Sequence, residues 1–181
     1  QPFPSPEQAD NSSAPDESGK EPVTLKGIAD LVPHSEIIEF VKPKLAEQGI
    51  NIELVATSAD NTTNEKTAKG EIDFNYFQHY PYLKSWNETN GFNLANAGDI
   101  HVEPITAYSD KYDSKDKIPD DAVVAIPNDG TNEARALLLL EAQGLIKLKE
   151  GIGLTATKLD IAENPKNLDI QEIEAAQLAR A

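Results

Sequence analysis

The chain has 181 residues, 31 of them acidic and 16 basic, and a net charge of −15 at neutral pH. That balance repels phosphate backbones and anionic membrane surfaces, which excludes nucleic acid as a partner. Cysteine is absent, so disulfides, thiolate nucleophiles and cysteine-bound zinc are excluded too. No apolar run approaches the ~18 residues that span a bilayer.

Residues 1–22, rich in Pro, Ser, Asp and Glu, have almost nothing to bury and read as a disordered tether. A chain that starts at Gln1 and contains no methionine reads as a processed or trimmed form. VTLKGIADL is a β-branched and aliphatic run, a strand candidate. In VPHSEIIEFVKPKLAEQGI, Ile37, Ile38, Val41 and Leu45 recur at helical spacing after Ser35, with Gly49 as the stop and Pro43 as a local distortion. NIELVATS alternates as a second strand. NTTNEKTAKG reads as a short helix opened by Thr63 or Asn64, and IDFNYF as a third strand. This alternation predicts parallel strands joined by crossovers. LKSWNETNGF reads as a helix ending at Gly91, and DIHVEPITAYS as a long extended segment. AVVAIPN is a buried-type strand. The helix after it is capped by Thr131 or Asn132 and stopped by Gly144. LDIQEI is strand-like, and a last short helix follows. The whole predicts two α/β lobes, the first over 23–104 and the second over 105–181.

Enzyme signatures are missing: there is no nucleophile elbow, P-loop or HExxH. GIGLTA (residues 151–156) matches a loose G-x-G-x-x-A pattern, but no long helix follows to receive a pyrophosphate. No catalytic residue, metal or cofactor is therefore expected. His34 and His101 read as hydrogen-bonded loop or strand histidines. FNYFQHYPYL (residues 74–83) gathers five aromatic residues and His79. Phe74 reads as core. The strand should end near Phe77, which puts Phe77, His79 and Tyr82 at the carboxyl end of a parallel strand, where open α/β sheets bind ligands. These three either wall a cleft or pack the lobe interior. In PNDGTNEARALLLL, Asn132 and Arg135 share one face at the start of a helix. Arg135 either grips an anion, aided by the helix N-terminus, or pairs with Glu133 or Glu141 on the surface.

TLKGIADLVPHSEIIEFVKPKL, TSADNTTNEKTAKGEIDFNYFQHYPYL, AGDIHVEPITAYS, VAIPNDGTNEARALLLLEAQGLIKLK and LDIAENPKNLDIQEIEAAQLARA together resemble the NlpA/MetQ lipoprotein family. The resemblance runs from Val23 to Ala181, and FQHYPYL and PNDGTNEARAL are its most specific parts. It implies a type II periplasmic-binding-protein fold, two α/β lobes closing on a ligand cleft, here truncated at the C-terminal end. It implies a binding protein, not an enzyme, that takes methionine, commonly the L-enantiomer, to the permease subunits of an ABC importer. An extracytoplasmic site and a lipid anchor, on a cysteine that this chain lacks, are implied as well; the tether at 1–22 fits a chain cut just after that cysteine. On the family pattern, Phe77 and Tyr82 line the thioether and His79 is a polar contact. Arg135 clamps the carboxylate with Asn132 beside it, and Asn61 stands where the family offers another pocket residue. Another amino acid, a methionine-containing dipeptide or a surface-adhesion role are the alternatives.

Overall fold

The computed structural model describes residues 21–181, so the tether expected over 1–22 lies outside the described residues except for its last two. Strand β1 (Val23–Ala29), helix α1 (His34–Ala46), strand β2 (Ile50–Ala56), helix α2 (Asn61–Ala68) and strand β3 (Phe74–Tyr76) follow in turn. The strands form one sheet in the order β2-β1-β3, and both pairings are parallel. The central strand β1 ends in Gly27, Ile28 and Ala29, all buried, as expected where a parallel strand is covered on both faces. Gly27 is required there. A Cβ at this position would fall 2.2 Å from Cζ of Phe74, whose ring lies flat across the glycine.

Helix α1 runs through Pro43, whose carbonyl still accepts from the Glu47 N–H at 3.2 Å. Helix α2 is opened by Asp60, not by Thr63 or Asn64. The Asp60 carboxylate accepts from the Thr62 N–H at 2.8 Å, and the Thr63 hydroxyl accepts from the Asp60 N–H at 3.2 Å. Such reciprocal capping satisfies donors that the first turn would otherwise orphan.

Helix α3 (Tyr80–Asn90) leads into a stretch without regular strand pairing. The segment expected to be extended, residues 99–109, joins no sheet among the described residues. Strand β4 (Val123–Pro127), helix α4 (Gly130–Ala142), strands β5 (Lys147–Leu148), β6 (Ile161–Glu163) and β7 (Asp169–Ile173) complete the chain, with a 3-10 turn over Ala175–Arg180. β4 pairs with β7 in parallel, and β5 pairs with β6 antiparallel. The main hydrophobic core lies in this second half, where Ala134, Leu137 and Leu140 of α4 meet Ile126 of β4 and Ile170 of β7. Leu137 and Ile170 are 0% and 2% exposed, each stabilising the fold by roughly 1.5–3 kcal/mol. No helix among the described residues is long and apolar enough to cross a membrane.

Candidate functional site

The stretch after β3 turns into α3 sooner than the sequence pattern suggests. The helix starts at Tyr80, ahead of the expected Leu83, with Pro81 in its first turn, where a missing N–H costs nothing. His79 therefore sits at the N-cap and Tyr82 in the first turn, while Phe77 stays in the connecting loop. Gly91 ends the helix in the left-handed conformation, φ 71°, which only glycine adopts without strain.

A buried amide network holds this loop. Asn64 of α2, 0% exposed, accepts at Oδ1 from the side chains of Asn75 (3.1 Å) and Gln78 (2.7 Å) and donates to Gln78 Oε1 at 2.8 Å. Asn75 also donates to the Thr67 hydroxyl at 2.6 Å. Buried amides are tolerated when they satisfy one another, and here they lock Gln78, next to His79, onto α2. Nothing in the sequence pairs Asn64 with Gln78, although Gln78 lies within FQHYPYL.

The rings then take defined positions. Phe77 and Tyr82 meet edge to face with centroids 6.0 Å apart, and His79 lies 6.4 Å from Tyr82. The Tyr82 hydroxyl donates to Oδ1 of Asn61, the first residue of α2, at 2.8 Å. Burial, with help from Asp129 and Asp60, pushes the Tyr82 hydroxyl above its usual pKa. Burial and then the nearby Arg135 charge pull the His79 imidazole below its usual value of 6.5, against a smaller opposing pull from Asp129. His79 is thus neutral at physiological pH. Its Nε2 is buried and has no hydrogen-bond partner among the described residues, so it is free to meet a ligand.

Arg135 arrives from α4. Asp129, not Thr131 or Asn132, caps this helix by accepting from the Asn132 N–H at 2.9 Å; it also accepts from the Asn132 side chain at 3.1 Å. Held in this way, Asn132 accepts from Arg135 Nη1 at 2.9 Å, and Arg135 Nη2 donates to the Glu103 carbonyl at 3.0 Å. The surface-pair alternative does not hold: among the described residues Arg135 makes no ion pair. Glu133 is buried and accepts from the Lys158 N–H, and Glu141 accepts from the Leu148 N–H. Two of the five guanidinium donors go to neutral oxygens, which leaves the charge available.

The first turns of α2, α3 and α4 therefore converge: the Tyr82 hydroxyl joins α3 to Asn61 of α2, and Tyr82 shares one crevice with Asp129 and Thr131 at the start of α4. A crevice of about 150 Å³ opens between α3 and the start of α4, lined by Tyr82, Trp86, Asp129 and Thr131 among others. A larger crevice of about 530 Å³ lies behind α3, between Tyr80 and Asn96, and contains none of the convergent groups. Asp60 is marked in the sequence only through the Asp60-Asn61 loop of the family pattern, and Asp129, although within PNDGTNEARAL, by no site role. Their shared signal was an acid three residues before a helical pattern.

Known proteins share this architecture. Residues 27–181 match the model of the NlpA lipoprotein family. The D-methionine-binding lipoprotein MetQ of Salmonella typhimurium is 45% identical over 164 residues, which cover 90% of this chain and 60% of that protein. A lipoprotein from Ruminococcus gnavus is 50% identical, with a TM-score of 0.84 over 87% of this chain and 65% of that one. A nutrient-binding protein from Burkholderia cenocepacia, solved bound to methionine, is 42% identical with a TM-score of 0.80 over 86% of this chain and 66% of that one. The chain thus spans about three-fifths of the length of the curated relatives it matches, and it belongs to the NlpA lipoprotein family, with that family's substrate-binding α/β fold.

Proposed function

We propose that this chain forms the ligand-binding part of an extracytoplasmic, lipid-anchored substrate-binding protein, and that it captures methionine for the permease of an ABC importer. Its two lobes span 23–104 and 105–181, and the ligand lies where the starts of α2, α3 and α4 meet. Phe77 and Tyr82 form the wall for the thioether, whose polarizable sulfur favours aromatic edges. His79, neutral and without a partner at Nε2 among the described residues, hydrogen-bonds the ligand. Arg135 grips the carboxylate, Asn132 keeps the guanidinium in place, and Asn61 fixes the Tyr82 hydroxyl. The family resemblance favours L-methionine, although the similar MetQ proteins are named for D-methionine, and the role is capture, not catalysis.

One observation carries this reading: an arginine that makes no ion pair among the described residues is held by Asn132 and the Glu103 carbonyl in the first turns of α4, the helix packed against the one that carries Tyr82. A cation without an acid beside it, facing an apolar wall, suits a small zwitterion. The names of the relatives supply the side chain, since several are methionine-binding proteins. Native mass spectrometry with L-methionine, D-methionine and a glycyl-methionine dipeptide tests it. One L-methionine per chain is expected. Retention of the dipeptide alone would replace the ligand assignment, and retention of none would overturn the reading.

A further inference from the structure

Beside the cleft, three more side chains converge. His34 opens α1, while His101 and Glu103 lie on the stretch between α3 and β4. One potential ligand atom from each residue lies within 4.8 Å of the other two. The His34 side chain is buried, the residue being 6% exposed, and its Nδ1 has no hydrogen-bond partner among the described residues. Its ring meets Tyr76 and His101 edge to face, with centroids 4.8 and 4.9 Å away. His101 Nε2 is 2.9 Å from Glu103 Oε1, and His101 Nδ1 is 2.5 Å from the Tyr76 hydroxyl. The His-x-Glu run thus presents an imidazole and a carboxylate together.

We propose that His34, His101 and Glu103 bind one divalent transition-metal ion of the zinc class. Two imidazoles and one carboxylate suit such an ion, whereas calcium and magnesium prefer oxygen ligands throughout. A bound ion holds its ligand atoms about 2 Å away, which leaves them about 3.3 Å apart in a tetrahedral site. The site closes to that size through His101 and Glu103. Glu103 has a half-exposed side chain, and both lie on a stretch that no sheet restrains. With Nε2 on the ion, His101 keeps its proton on Nδ1 and donates it to Tyr76, a contact that orients a metal-bound imidazole. A plain His101–Glu103 pair explains those two residues but leaves the buried His34 nitrogen unpartnered; an ion bound through it removes that deficit. The site also touches the cleft, because the Glu103 carbonyl accepts from Arg135.

Calorimetric titration of the tag-free, metal-stripped chain with ZnCl2 in excess Mg²⁺ tests the proposal. One Zn²⁺ per chain is expected. His101→Ala and Glu103→Gln should each weaken binding at least ~10-fold, the loss that follows when even an outer partner of a metal ligand is removed. The exposed Glu103→Gln variant keeps the test valid if His101→Ala fails to fold. Proton NMR should show the imidazole resonances of His34 and His101 shifting with Zn²⁺, and those of His79 unmoved. Absence of stoichiometric binding, displacement by Mg²⁺, or unchanged affinity in Glu103→Gln would each overturn the site.

Discussion

Truncating Arg135 to alanine removes a cation whose only hydrogen bonds among the described residues are to two neutral oxygens. The folded state therefore loses little, and circular dichroism and melting should match the parent. Methionine binding should weaken by ~2–5 kcal/mol, the size seen when a desolvated charge loses its partner, measured by calorimetry. His79 makes a pH-dependent contribution. Burial and the Arg135 charge hold its folded pKa below 6.5, so the unfolded chain takes up the proton more readily. Stability linked to His79 is fully present above the unfolded pKa and is lost as pH falls toward the folded value. Melting temperatures recorded from pH 7 down to about pH 5 should fall less steeply for His79→Gln than for the parent. An unchanged slope would place the imidazole in water. At this scale the sequence revealed residue types but not their neighbours. The Phe77, His79 and Tyr82 cluster was visible in one short run, whereas the amide network around Asn64 was not. Asn64 sits in NTTNEKTA, a helix with no apolar face to mark what it buries.

Helix ends show where pattern reading succeeds and where it stops. The stops at Gly91 and Gly144, both at positive φ, were legible because only glycine suits that backbone. The starts were displaced because Asp60 and Asp129 cap from outside the apolar repeat, and because α3 begins at Tyr80 and Pro81, ahead of the expected Leu83. Strands β5 and β6, of two and three residues, are too short to alternate visibly. Two substitutions test how the elements are joined. Asn64→Leu removes the three bonds that Asn64 makes to Asn75 and Gln78 and should cost about 1–3 kcal/mol in denaturant unfolding. It should also weaken methionine binding, because Gln78 anchors the loop that carries His79. Gly27→Ala drives a methyl into the Phe74 ring and should cost about 1–3 kcal/mol by overpacking. A neutral result for either would mean that the β3 region relaxes freely.

For the molecule as a whole, the alternation of strands and helices was enough to expect parallel sheets, and parallel pairs appear in both halves. Convergence across the chain was not readable. His34 and His101, or Arg135 and His79, come from segments whose spacing carries no hint of contact, and only the fold brings them together. Ligand capture should appear as a global effect. At a methionine concentration of 100 times Kd the stabilisation is about 2.7 kcal/mol, equivalent to a rise in Tm of roughly 5–10 °C for a domain of this size. A glycine control should give a much smaller shift, because it leaves the ring wall unfilled.

The sharpest test is one calorimetric cycle, in which methionine and methioninamide are each titrated into the parent and into Arg135→Ala. If the guanidinium holds the carboxylate, the parent should favour methionine over the amide by ~2–5 kcal/mol, and the variant should bind both equally. Equal discrimination by parent and variant would contradict the assignment of Arg135.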